Sequence, residues 1–281
     1  MITAPTIAAV RAAVAEARRG GARVALVPTM GYLHEGHLSL VDEARRRGDL
    51  VVMSIFVNPL QFGVGEDLDR YPRDLERDAA LAADRGVDVL FVPARDEMYP
   101  AGEPVVRVVP GRLADRLDGA ARPGHFEGVL TVVAKLLNIV QPDLAIFGQK
   151  DFQQSVLVRR MVADLDVPVE IVVAPIVREP DGLALSSRNV YLGAAERASA
   201  RALSRALGAA EAAARAGERD AARLLAAMRA VLDAEPGVRP QYVELVDPET
   251  LEPVATAVAG TVAAVAAFVG PTRLIDNLVL P

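Results

Sequence analysis

Short, uninterrupted apolar runs alternate with segments of helical periodicity from the amino terminus to about residue 175, and this alternation narrows the fold more than any other feature. The runs Val24 to Pro28, Leu50 to Val57, Val87 to Val92, Leu144 to Phe147 and Val169 to Val173 are too short for helices. Continuous apolarity over that length is the mark of strands covered on both faces. Between them fall helical patterns: Ile7, Val10 and Val14; Leu38, Val41 and Ala44; and Leu75 to Arg85. Val129, Val132, Val133, Leu136, Leu137 and Val140 mark another, and Phe152 to Ala163 the last. Strands taking turns with helices predict right-handed βαβ units, hence an α/β, Rossmann-like parallel sheet with helices on both faces.

Pro175 and Pro180 bracket a change of pattern. Two Ala-rich helical stretches follow, about Ala194 to Ala216 and Asp220 to Ala234. Strand-like pieces then lie near Gln241 to Val246, Thr261 to Val269 and Arg273 to Leu280. The expected organisation is a Rossmann-like domain over residues 1–175 and a smaller α+β domain over 176–281, with no internal repeat.

Composition excludes several classes of function. There is no cysteine among the 281 residues, which removes disulfides, thiolate catalysis, iron–sulfur clusters and thiolate zinc sites, and fits a reducing cytoplasm. The net charge of −6, without a dense Lys/Arg run, leaves no basic footprint for a nucleic acid. Arg11, Glu16, Arg18 and Arg19 interrupt any secretory apolar stretch near the start. The uncharged run Pro253 to Thr272 is long enough to span a bilayer, but its Ala, Val and Thr content and its breakers Pro253, Gly260, Gly270 and Pro271 read better as two short buried strands.

Four stretches carry candidate chemistry. The first is Met30-Gly31-Tyr32-Leu33-His34-Glu35-Gly36-His37, at a strand end just before a helix. Ligands of open α/β sheets bind outside the carboxyl ends of strands, and a helix start there offers unpaired N–H groups to a phosphate. His34 and His37 are two of only three histidines, and their ring N–H groups suit phosphate oxygens. A metal pair is the rival reading, but no third ligand completes a site, so no protein-held metal is expected. The second, Asn58-Pro59-Leu60-Gln61, ends another strand and puts side-chain amides at the rim, as an ordinary loop would also do.

The third, Gly148-Gln149-Lys150-Asp151-Phe152-Gln153-Gln154, again follows a strand and holds one of only two lysines, a compact charge suited to phosphate or to a solvated turn. The fourth, Val177 to Asn189, contains Pro180-Asp181-Gly182, a turn that folds Leu183 onward back upon the preceding chain. It then presents the Ser186 and Ser187 hydroxyls and the Arg188 guanidinium.

Taken together, these motifs resemble those of the pantothenate synthetases, within the His-x-Gly-His nucleotidyltransferase superfamily. The resemblance implies ATP contacts at Met30, Gly31, Tyr32, Leu33, His34, Glu35, Gly36 and His37, at Gly148, Gln149, Lys150 and Asp151, and at Val177, Leu185, Ser186, Ser187 and Arg188. It implies Gln61 and Gln154 as contacts for the small substrates pantoate and β-alanine. His34, His37 and Lys150 would then be catalytic, with His37 the proton donor. Leu185 stands where the family usually has Met. Tyr71 lies in a stretch similar to a substrate-side loop, Arg122 in one that steers substrate, and His125 beside it could equally cap a helix. The implied reaction joins pantoate to β-alanine through a pantoyl-adenylate, consuming ATP, with Mg²⁺ held mainly by the phosphates and the enzyme a cytoplasmic homodimer. Rival readings are a nucleotidyltransferase that leaves its nucleotide on the product, and a nucleotide sensor without turnover.

Overall fold

A computed structural model describes all 281 residues. In chain order, β1 (Ile2–Ala4), α1 (Ile7–Arg19), β2 (Val24–Thr29), α2 (Glu35–Arg47), β3 (Leu50–Ile55), α3 (Leu75–Asp84) and β4 (Val89–Phe91) build one half of a sheet. After α4 (Arg95–Met98) and α5 (Leu117–Ala121), the long α6 (His125–Val140) returns the chain to β5 (Leu144–Gly148), and α7 (Phe152–Asp164) leads to β6 (Glu170–Ala174). The six strands lie in the order β1-β4-β3-β2-β5-β6, every pair parallel. The chain runs outward from β2 through β3 to β4, then comes back to β5 on the far side of β2. Strand order therefore reverses between β2 and β5, and such a reversal opens a crevice at the carboxyl ends.

Side-chain alternation on the strands accounts for the two covered faces. Val24 and Leu26 of β2 pack with α1, α6 and α7, whereas Ala25 and Val27 pack with α2 and α3. Each fully buried Val or Leu contributes roughly 1.5–3 kcal/mol, which is why runs this apolar settle in the middle of the sheet.

The remaining chain forms α8 (Ala194–Ala200), α9 (Ala202–Arg215), α10 (Ala221–Asp233), β7 (Val238–Val246), β8 (Val262–Val269) and β9 (Thr272–Val279). The last three make an antiparallel sheet in that order, with α9 and α10 on its apolar face. The uncharged run from Pro253 contributes one strand, β8, rather than the two expected, because residues 253–261 turn and bend before it; no helix of the chain is long and apolar enough to cross a membrane. Leu117, Phe152 and Val156 meet Val246, Leu251 and Val262 in an apolar seam joining the two sheets' surroundings.

The sequence pattern misses the short elements α4 and α5, and two further details. Strand β1 is only three residues long and half exposed, too brief to show a period, yet it pairs in register with Val89–Phe91. The expected single helix from Ala194 is two, because the backbone tightens at Arg201, where α8 ends and α9 begins.

Candidate active site

One cavity opens at the carboxyl ends of β2, β3 and β5, against the segment that follows β6. Met30, His34, Gly36, His37, Gln61, Gly148, Lys150, Asp151, Gln154, Val177, Leu185, Ser186, Ser187 and Arg188 all line it. Tyr71, Arg122 and His125 line it as well. The two imidazoles and the ammonium thus meet although they are more than 100 residues apart in sequence. Gly31, Tyr32, Leu33, Glu35 and Gln149 stand beside these residues in the chain but do not line the cavity.

Two amides of the loop after β2, those of Tyr32 and Leu33, are taken up by the protein itself. Gly31 takes φ +82° and Tyr32 φ +51°, a double left-handed step that a glycine makes cheap at the first position. The N–H groups of Tyr32 and Leu33 then point inward and donate to Oδ2 and Oδ1 of Asp78, at 2.6 and 2.7 Å. Such a concave pair of amides is an anion site, and the protein fills it with its own carboxylate. Leu33 is fully buried in the core, and Glu35 turns outward to pair with Arg85.

The imidazoles act as helix caps. His34 is the N-cap of α2: its Nδ1 accepts from the Gly36 N–H at 3.1 Å, while Nδ1 of His37 accepts from the His34 N–H at 3.4 Å. The rings lie 4.0 Å apart. A Cβ at position 36 would sit 2.9 Å from the His34 ring, so only glycine fits beneath it. With both Nδ1 atoms accepting, a neutral ring carries its proton on Nε2. Burial, reinforced by Lys150, lowers His34 to about 4. Burial, with His34 and Lys150 adding to it, holds His37 well below the usual histidine range. Both rings are therefore neutral donors at pH 7. The charge-assisted bonds expected from sequence become neutral ones until a ligand brings negative charge.

Lys150 is the cavity's uncommitted cation. Its nearest carboxylate, Asp151, is 4.0 Å away. Arg122 is instead paired with Glu66 at 2.6 Å and Arg188 with Asp67 at 2.8 Å. The turn carrying Lys150 is braced from β9: the Asn277 side-chain amide donates to the carbonyls of Gln149 and Lys150 at 2.9 and 3.0 Å, and Gln149 donates back at 3.2 Å. Asn277 is positioned in turn by the buried Arg178–Asp276 pair, at 2.6 and 2.9 Å.

On the opposite side, Asn58 and Gln61 sit on the short turn Pro59–Gln61, which presses against α6. A Cβ on Gly128 would lie 2.2 Å from the Leu60 carbonyl oxygen, so this approach needs glycine. Arg122 donates to Nε2 of His125 at 2.9 Å, and His125 Nδ1 meets the Gln61 carbonyl at 2.8 Å. Burial and the adjacent Arg122 lower His125 to about 4. His125 is the first residue of α6 and caps nothing; Gly124 is the N-cap. The cavity floor beside Gln61 and Gln154 is apolar, built from Phe56, Val129, Val132, Val133 and Leu136.

The Pro180–Gly182 turn forms as expected, with Glu179 and Leu185 donating across it to Leu183 and Val177. Beyond it Ser186 caps the turn Ser187–Tyr191, and Ser187 donates to the Tyr32 carbonyl at 3.3 Å. Arg188, doubly bonded to Asp67, lies 5.6 Å from the centre of the buried Tyr71 ring. Sequence reasoning overlooked Asp78, Asp67, Glu66, Gln153 and Asn277. Asp78 was visible in principle, as a charge one helical turn before the apolar Ala82 on the buried side of α3. Gln153 is buried and bonds four backbone groups of residues 113–119, fixing α5.

No group of three His, Cys, Asp or Glu residues stands close enough to hold a metal ion. A doubly wound parallel sheet with an ammonium, two helix-capping imidazoles and rim amides at its switch point defines an α/β enzyme that handles phosphate and a small polar partner. The sequence pattern of the pantoate-beta-alanine ligase family matches residues 2–279, and the chain belongs to that family. It is 57% identical to the pantothenate synthetase of Moorella thermoacetica over 98% of this chain and 97% of the relative. The crystal structure of pantothenate synthetase from Thermus thermophilus superposes with a TM-score of 0.95 at 53% identity, covering 100% of both chains. The pantoate-beta-alanine ligase of Francisella tularensis, crystallised with beta-gamma ATP and beta-alanine, gives a TM-score of 0.83 at 34% identity, covering 99% and 97%.

Proposed function

We propose that this enzyme condenses pantoate with β-alanine, cleaving ATP to AMP and pyrophosphate by way of a pantoyl-adenylate. The observation that carries the reading is the convergence of His34, His37 and Lys150 with Gln61 and Gln154 on one cavity, in a chain that matches the ligase family almost end to end. A pantoate carboxylate oxygen attacks the α-phosphorus as the bond to pyrophosphate breaks. The β-alanine amine then attacks the acyl carbon, and AMP leaves with the bonding pair.

No protein nucleophile enters either step, so rate comes from alignment and from charge placed where charge develops. Lys150 supplies that charge at the triphosphate, and the neutral Nε2–H groups of His34 and His37 donate to its oxygens. Triphosphate charge beside His37 pulls its proton affinity up, which is what a proton-donor role there requires. Ser186 and Ser187 line the same wall, with Arg188 held back by Asp67. The amides of Gln61 and Gln154, above a floor of valine and leucine, suit a branched hydroxy acid whose methyl groups face that floor. Asp151 is the single carboxylate lining the cavity, which suits Mg²⁺ held mainly by phosphate oxygens with Asp151 as its protein contact. Bound there, the ion would shield the triphosphate.

Residues 176–281 act as the unit that closes over ATP, a reading supported by the Asn277 brace on the Lys150 turn. The exposed strip Val105, Val106 and Val109 supports a homodimer. A cysteine-free chain fits the cytoplasm. The deciding experiment is exchange of labelled pyrophosphate into ATP. It should require pantoate, and free AMP should accumulate only when β-alanine is added. Exchange without pantoate, or AMP retained on the product, would overturn the proposal.

A further inference from the structure

At the cavity wall, a buried relay fixes which end of Gln61 faces the ligand. Asn58 is 1% exposed and Tyr99, at the end of α4, is 4% exposed. Two backbone groups decide how the Asn58 amide is turned. The Leu60 N–H lies 3.4 Å from Oδ1 and needs an acceptor, while the Gly128 carbonyl lies 3.1 Å from Nδ2 and needs a donor. Oxygen therefore faces Leu60 and nitrogen faces Gly128. The second lone pair of Oδ1 accepts from the Tyr99 phenol at 2.8 Å, and the second hydrogen of Nδ2 goes to Oε1 of Gln61 at 3.1 Å.

With its oxygen turned towards Asn58, Gln61 presents its NH₂ group on the Met30 side. Nε2 rests 3.4 Å from the Met30 sulfur, a weak acceptor that a ligand oxygen displaces. Burial pushes the Tyr99 phenol up to about 12, so it stays a donor across the working pH range. Its ring is gripped by Phe56 at 5.9 Å and by the Lys135 ammonium at 5.8 Å.

We propose that Tyr99 is a positioning residue for acid recognition: through Asn58 it holds Gln61 as an obligate donor, so that Gln61 accepts only ligand atoms bearing lone pairs, such as carboxylate or hydroxyl oxygens. This rests on the reading that Gln61 contacts pantoate. Without the phenol, Asn58 keeps its two backbone partners but loses its shortest bond and is held less firmly, so its grip on Oε1 of Gln61 loosens and the amide presents its carbonyl to a carboxylate part of the time.

The test uses the full chain, with KM for pantoate, ATP and β-alanine, kcat and thermal melting measured for each variant. Tyr99→Phe keeps the ring and should raise the pantoate KM about 5-fold, the loss of one hydrogen bond, while kcat and the ATP KM stay within about twofold. Asn58→Asp substitutes an acceptor for the donating NH₂, which turns Gln61 around, and should raise the pantoate KM about a hundredfold. Gln61→Ala is the control. If Gln61→Ala leaves the pantoate KM unchanged, the contact itself is wrong and the relay with it. If Gln61→Ala raises that KM while a folded Tyr99→Phe and Asn58→Asp do not, the relay alone is overturned. Equal losses in kcat and in all three KM values would reduce Tyr99 to a packing residue and also end the proposal.

Discussion

Replacing Lys150 with methionine keeps the apolar stem and removes the only cavity cation without a closely bound carboxylate. The side chain is 21% exposed, and its nearest counter-charge is 4.0 Å off. Two unit charges about 4 Å apart interact by roughly 4 kcal/mol at the effective dielectric of about 20 that suits such sites. Part of this is felt equally by bound ATP and by the transition state, and only the differential part accelerates the reaction. A loss of about 3 kcal/mol in the barrier term remains, or roughly a hundredfold in rate. Pantoate-dependent pyrophosphate exchange should fall by that factor, with melting temperature unchanged. The same substitution has a second, independent consequence. Lys150 helps burial depress both His34 and His37, so both imidazoles should titrate higher in Lys150→Met, with His34 moving up from about 4. Ring-nitrogen NMR would record it. A folded variant with exchange within about threefold of the parent and unmoved imidazoles would refute the assignment of Lys150 to the phosphates.

Asp78→Ala strands two inward-pointing N–H groups, each costing about 1–3 kcal/mol, and should lower unfolding stability by roughly 2–6 kcal/mol and abolish most exchange; chemical denaturation measures the first. Gly128→Ala pushes a methyl group into the Leu60 carbonyl and should cost about 1–3 kcal/mol while raising the pantoate KM more than the ATP KM. All three histidines are depressed, so the unfolded chain binds protons below about pH 6.5 that the folded chain refuses, His34 and His125 until near pH 4 and His37 until well below the usual histidine range. Stability is therefore complete above pH 6.5 and falls as pH drops towards 4, by up to about 1.4 kcal/mol per pH unit for each imidazole. Melts at intervals across this range should show that slope, and a flat profile would contradict it.

The parallel sheet was legible because β2, β3 and β5 are apolar on both faces and α6 repeats at 3.6 residues, signals that local sequence carries by itself. The members of the cavity were legible because His34, Gln61 and Lys150 each follow a strand, and a parallel sheet aims all such ends the same way. What stayed hidden was how each is held. Asp78 grips the Tyr32 amide from 46 residues away, and Asn277 grips the Lys150 carbonyl from 127 residues away. No periodicity encodes a partner chosen by the tertiary fold. Nor can sequence reveal that a carboxylate elsewhere takes the Tyr32 and Leu33 amides of the loop before α2.

Asn277 bonds the backbone of the very residue that bears the free ammonium. Any hinge movement that lifts β9 away to discharge products must first let go of that carbonyl, and the charge then loses its aim. If residues 176–281 do hinge, an open gate would be a disarmed one: while water could enter, the group that would help it attack ATP would be out of register, and the same amide that braces the shut form would discourage wasteful hydrolysis.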